Sequence, residues 1–375
     1  MSEPARGKVA AYVTSHGFGH LNRSVAVINR IPADVAVAIR CDPSLFEHWR
    51  ERLQRTADLE PHASDVGAIN PPGDSAATDG PATLIRAAEV HARAMAGVDA
   101  EAARLAAEGT GVVLCDVTPV PLVAAHRAGV PGLLLANFTW AEIYEPHARA
   151  AGTEAARASV AAICAAYGHA ALALRTEPAL PLEGIAAVVD VGMVVSPGVD
   201  RRDELRASLG IPAGDRVVYF YVGRYGQADL AWDRLGAIRG VHFVGFHPAP
   251  VGVVPNLHVV PPTRWTGADL AASADAIVAK AGYGTATEAM AARTPFLYPP
   301  RTGFAEHEAL DAALRAWGGG FPLTDDEFRG FRLEAALDRA FARRPGPPPF
   351  PSDGADRAVA ILLDALANPS AYLRT

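Results

Sequence analysis

Short apolar runs alternating with longer amphipathic stretches are the feature that most narrows what this chain can fold into. "KVAAYVTS", "DVAVAIRC", "GVVLCD" and "VPGLLLAN" read as buried strands. "HLNRSVAVINRI", "LFEHWRERL", "TLIRAAEVHARAMAGVDAEAARLAAEG" and "PVPLVAAHRAG" read as the helices between them. A strand that is apolar on both faces needs cover above and below, and a parallel neighbour needs a crossover long enough to be a helix. The pattern therefore predicts an α/β fold with doubly wound parallel sheets. It breaks at the Pro- and Gly-interrupted "MVVSPGVDRRDELRASLGIPAGD" and restarts with "RVVYFYVG", "VHFVGF", "LHVV", "AIVAK" and "TPFLYPP". At 375 residues the chain is too long for one ordinary core. The expected organisation is two such domains facing a cleft, over 1–197 and 198–355, with a final helix in 356–375 that returns to the N-terminal domain. No repeat at solenoid period is present.

Composition excludes several classes of function. A net charge of -7 argues against nucleic acid as the main partner, because such proteins carry a basic face. Cys41, Cys115 and Cys164 are odd in number and far apart, which fits reduced thiols better than a disulfide framework or a metal site. The opening "MSEPARGK" is polar and the apolar run behind it is short, so neither a signal peptide nor an integral membrane association is expected. A cytoplasmic protein is the expectation, and the alanine-rich, arginine-over-lysine usage suggests a bacterial one. Oligomeric state leaves no mark in the sequence.

In open parallel sheets ligands collect at the carboxyl ends of strands. After the first strand, Gly17 and Gly19 allow a tight turn into a helix expected near Leu21, with backbone N–H groups, His16 and His20 toward the cleft. His20 can take a proton from a hydroxyl near neutral pH, or it caps and packs the helix start. Asp116 closes a buried strand at the same edge. It either orients an imidazole or caps the helix beginning near Pro119. Asn137, Thr139 and Trp140 follow the next strand and read as sugar or acceptor contacts, Trp140 by stacking, or as ordinary loop residues.

The second half carries the more informative turn, "ADAIVAKAGYGTATEAMAARTPFLYPP". Gly282 and Gly284 lead from a strand into a helix whose first residues include Thr285 and Thr287. Free N–H groups, a positive helix end and hydroxyls would converge on a diphosphate there. Glu288, one turn in, is placed to accept from the vicinal hydroxyls of a ribose. The chain has only two lysines, Lys8 and Lys280, and the second stands at the lip of this turn. The spacing is not that of a Walker A loop, and "GFGHLN" does not complete a dinucleotide fingerprint.

The pair "HGFGHLNRS" and "AKAGYGTATEAMAARTPFLYPP" resembles the two signature turns of GT-B glycosyltransferases, in the branch of MurG-like and monogalactosyldiacylglycerol-synthase-like enzymes. With "CDVTPV" and "LLLANFTWAEIYEP" the chain is similar, over nearly its whole length, to the glycosyltransferase-like N-terminal domain of L-arabinokinase. The likeness does not extend to the GHMP kinase domain of arabinokinases, so no kinase activity is expected. The resemblance implies two Rossmann-like domains, His20 as general base and Asp116 as its acidic partner. It also implies a donor turn at Gly282, Gly284 and Thr285, with Glu288 on the ribose. Glu306 and His307, in "RTGFAEHEALDA", fall where related enzymes present an Asp-Gln pair to the donor sugar. Arg224, in "YFYVGRYG", stands where a glycine-rich loop is expected and either contacts phosphate or fills space.

The implied activity is inverting, metal-independent transfer of a hexosyl or pentosyl group. The donor would be a nucleotide diphosphate sugar, UDP-type, acting as co-substrate rather than bound cofactor, and the acceptor a small molecule or glycan. A sugar-nucleotide 2-epimerase-like isomerase and a non-catalytic sugar-nucleotide-binding protein are the alternatives.

Overall fold

The runs that are apolar at every position become central strands. β4 (Val112–Asp116) and β5 (Gly132–Ala136) are buried at every residue, and β1 (Gly7–Val13) is buried at its last five. The computed structural model describes residues 7–71, 77–222 and 230–373. Around those strands lie β2 (Val35–Cys41), β3 (Asp58–Pro61), β6 (Leu172–Thr176) and β7 (Val188–Gly192) in a parallel sheet of order β3-β2-β1-β4-β5-β6-β7. A second parallel sheet holds β8 (Arg216–Tyr221), β9 (Val241–Gly245), β10 (Leu257–Val259), β11 (Ala276–Ala279), β12 (Phe296–Tyr298) and β13 (Gly320–Pro322), in order β10-β9-β8-β11-β12-β13. In each sheet the strand order reverses once, between β1 and β4 and between β8 and β11. A doubly wound sheet opens a crevice at the carboxyl ends of the two strands that flank such a reversal.

The chain forms two compact units, and Val194 and Val195 fall on opposite sides of the division. The first contains β1 to β7 and also the helix Gly354–Ala367, so the last stretch of chain returns to it. The reason is apolar surface: Ala355, Ala358, Val359, Leu362 and Ala365 complete a core built on Val9, Ala11, Leu114 and Leu135. This helix packs against the helix Phe18–Ile28, and Leu366 presses so closely on Gly111 that a Cβ there would lie 2.5 Å from its Cδ1. The return is pinned by Met193 N–H donating to the Pro351 carbonyl at 2.7 Å. The second unit has its own core, in which Phe220 meets Phe243 and Phe331 edge-on, both with centroids 5.7 Å apart.

Two expected boundaries move. The first helix begins at Phe18, three residues before Leu21, because Gly17 takes the N-cap with φ +91°. Gly19 therefore lies inside the helix and does not form the turn. The long helical stretch after Thr83 breaks at Gly97 into Gly80–Ala96 and Val98–Ala107. Among the described residues no helix is long and apolar enough to cross a membrane.

If the last helix belongs to the first core, Leu362→Ala costs about 2–5 kcal/mol in urea unfolding, the ordinary cost of emptying a buried leucine site. A loss below about 1 kcal/mol would contradict that placement.

Candidate functional site

In the first unit the crevice lies where β1 and β4 run side by side, with Val13 paired to Asp116 at their ends. The helix after β1 carries His20, Arg23 and Ser24 at i, i+3 and i+4, one face of a helix. All three reach Asp116. His20 Nδ1 lies 2.8 Å from Asp116 Oδ1, Arg23 donates from Nη2 to Oδ1 at 2.6 Å and from Nε to Oδ2 at 3.0 Å, and Ser24 donates to Oδ2 at 2.8 Å. Arg23 also donates to Asn137 Oδ1 at 2.6 Å and Thr176 Oγ1 at 3.3 Å, which ties together the carboxyl ends of β4, β5 and β6. Asp116 caps no helix: the helix Val120–Ala128 has Pro119 at its N-cap and no side-chain cap. Nor does His20 cap its own helix.

Burial alone would push the Asp116 carboxyl up. The Arg23 guanidinium and the His20 imidazole overcome it and hold the group at about 2. The carboxylate is therefore ionised at neutral pH. Directly after it, Val117 has φ +64°, a left-handed backbone that a β-branched side chain resists. Such strain costs on the order of 1–3 kcal/mol and gathers at functional sites. His20 Nδ1 also lies 3.0 Å from Arg23 Nη2. A ring nitrogen plays one role at a time; with Nδ1 donating to Asp116, the shorter of the two contacts, the Nε2 lone pair is left as a base.

Three expected ligand contacts are corrected. Asn137, Thr139 and Trp140 are buried. Asn137 is held by Arg23, and Thr139 forms a capping box with Glu142 at the start of Trp140–Ala151. Trp140 stacks on Tyr144, with centroids 5.7 Å apart and planes 9° apart, so its faces are not open to a sugar. His16 remains half-buried, edge-on to Trp140 at 5.2 Å and over Gly67, where a Cβ would lie 1.6 Å from its Nδ1. The structure adds Asp65, which accepts from Trp140 Nε1 at 2.7 Å and Thr14 Oγ1 at 3.1 Å. Burial pushes its carboxyl up to about 6 against those hydrogen bonds.

In the second unit β11 leads to the helix Tyr283–Ala292, with Gly282 at its N-cap and Gly284 and Thr285 in its first turn. Gly282 has φ -118°, so the turn needs no left-handed residue, and a Cβ there would meet nothing within 4 Å. Thr287 does not serve as a donor to a ligand, because its hydroxyl donates back to the carbonyls of Tyr283 at 2.9 Å and Gly284 at 3.0 Å. Thr285 is partly exposed. Glu288 lies against Gly267, where a Cβ would be 3.1 Å from both Glu288 Oε2 and the Tyr219 hydroxyl. Burial, with the charge of Asp269 adding to it, pushes the Glu288 carboxyl up to about 8. Lys280 is pulled down to about 8 by burial and by the nearby Arg301, with Glu306 opposing. Glu306 is buried at the start of Glu306–Trp317, and burial also lowers His307. The structure thus gathers Lys280, Glu306 and His307 around an arginine absent from the sequence reading. Arg224 lies outside the described residues.

No protein-family model matches the chain. It is 28% identical over 348 residues to L-arabinokinase of Arabidopsis thaliana, which covers 90% of this chain and 32% of that protein. The chain therefore spans about a third of the length of that curated relative. Among solved structures, the glycotransferase of kitacinnamycin superposes with a TM-score of 0.66 at 18% identity over 100% of both chains. UGT2 of Phytolacca americana, solved with UDP-2-fluoro-glucose and pterostilbene, gives 0.60 at 13% identity, over 96% of this chain and 94% of its own.

Glu288 supplies a test of these electrostatics. An acid whose folded value is raised from 4.5 to about 8 favours the folded state below 4.5, and that contribution is lost as pH rises through 8. Glu288→Gln is expected to gain stability relative to the parent as pH rises from 4.5 to 8, measured by urea unfolding across that range. Parallel stability curves for the two proteins would contradict the assignment.

Proposed function

We propose that this chain, which has the fold of the GT-B glycosyltransferases, moves a sugar from a nucleoside diphosphate sugar to an acceptor hydroxyl or similar nucleophile. The observation that carries the reading is the His20–Asp116 pair, 2.8 Å apart, at the strand-order reversal of the first sheet. His20 Nε2 takes the acceptor proton as the oxygen attacks the anomeric carbon, and the bond to the diphosphate breaks with its electron pair leaving on phosphate. Asp116 steadies the imidazolium that forms, and attack opposite the leaving group inverts the configuration. The N-terminus of Tyr283–Ala292 and the Lys280 ammonium take up the charge growing on the diphosphate, the task a metal ion performs elsewhere. Glu288 meets the ribose, and the donor is UDP-type. The complex of UGT2 with a UDP-sugar analogue and pterostilbene supports a donor of this class and a small-molecule acceptor.

The first test is binding. A ligand specific for the folded state raises its melting temperature, so UDP or dTDP is expected to shift the parent and His20→Ala alike and to lose its effect on Glu288→Ala. With a donor and acceptor in hand, His20→Ala is expected to lower kcat by about 100- to 10,000-fold while nucleotide affinity stays within about twofold. Undiminished turnover in His20→Ala, or equal losses in turnover and donor affinity, would contradict the role given to His20.

A further inference from the structure

Arg301 follows β12 by two prolines, and only 6% of its side chain is exposed. Its Nε is buried and has no hydrogen-bond partner among the described residues. The ion pair with Glu306 is long, 3.8 Å from Nη1 to Oε2. The guanidinium lies on the Phe304 ring, 3.5 Å from its centroid, which fixes the plane of the fork. A buried guanidinium so poorly matched is costly unless something completes it. β12 pairs with β11, Val278 beside Leu297, so the two chains leave the sheet at one edge and bring Arg301 near Lys280. Both cations feel the Glu306 carboxylate. His307, close enough to feel Arg301, has a buried Nδ1 that also has no partner among the described residues. What such a cluster suits is a singly charged, planar acceptor that an arginine fork can grip with two parallel hydrogen bonds.

We infer that the Arg301 guanidinium receives a carboxylate carried by the transferred sugar, so that the donor is a nucleoside diphosphate uronate. This rests on the donor reading of the second unit. In that reading the diphosphate is already met by the end of Tyr283–Ala292 and by Lys280, which leaves Arg301 for a further anion. A phosphate of the donor is the other oxyanion of suitable shape, and one experiment separates the two.

Calorimetric titration of the whole protein with UDP, UDP-glucose and UDP-glucuronate, in parallel with Arg301→Gln, reads the outcome directly. The parent is expected to bind UDP-glucuronate at least about tenfold more tightly than UDP-glucose. Arg301→Gln is expected to erase that preference and leave UDP affinity within about twofold. Arg301→Lys, which keeps a charge but not the fork, serves if the glutamine variant does not fold, and it is expected to lose most of the preference. Equal affinity for the two conjugates overturns the inference. So does a loss in Arg301→Gln that falls equally on UDP and both conjugates, which would make Arg301 a phosphate contact. Either result leaves the donor reading standing, whereas failure of every nucleotide to bind overturns both.

Discussion

The first unit depends on one buried charge. Asp116 sits at the end of a wholly buried strand, where an isolated carboxylate would be driven to take up a proton. Arg23 prevents this by donating to both carboxylate oxygens, and Ser24 adds a third donor. Only because Asp116 stays ionised can it hold His20 Nδ1–H and fix the ring. The same arginine reaches Asn137 and Thr176, so the residue that keeps the charge also binds together the ends of three strands. The left-handed Val117 beside Asp116 is strain that this network has to offset.

The second unit meets the problem of buried charge in the opposite way. Glu288 and Lys280 are each driven to about 8 and Arg301 down to about 10, with burial the largest cause for all three. The first unit satisfies its carboxylate internally, while the second leaves ionisable groups away from their ordinary values. Groups displaced in this way cluster at functional sites. The contrast fits a division of labour in which one unit holds a preorganised base and the other is completed by the donor.

Much of this was legible in the sequence because it follows from strand periodicity. β1, β4 and β5 are apolar at nearly every position, and a residue that closes such a strand must emerge at the sheet edge, which places Asp116 there, while the glycine turn after β1 brings His20 to the same edge. Arg23 and Ser24 escaped because polar residues in an amphipathic helix read as its solvent face; only the i, i+3, i+4 spacing from His20 hinted that they share its target. Asn137, Thr139 and Trp140 read in the sequence as ligand contacts or as ordinary loop residues because nothing there marks the chain after β5 as buried. It enters the helix Trp140–Ala151 at once, and Asp65 closes over it from a distant segment. Thr287 was misread because a hydroxyl in the first turns of a helix can serve its own backbone as easily as a ligand. Arg301 carried no motif; its meaning lies in a missing partner, which only coordinates reveal.

The claim on which the rest turns is that Asp116, and not Arg23, sets the proton on the His20 ring. Nitrogen-15 NMR of histidine-labelled, ligand-free protein reports which ring nitrogen carries it. The account predicts the Nδ1–H form with a bare Nε2, lost when Asp116 is changed to Asn. A neutral ring protonated at Nε2, with Nδ1 accepting from Arg23, would leave His20 without a free base and contradict the account.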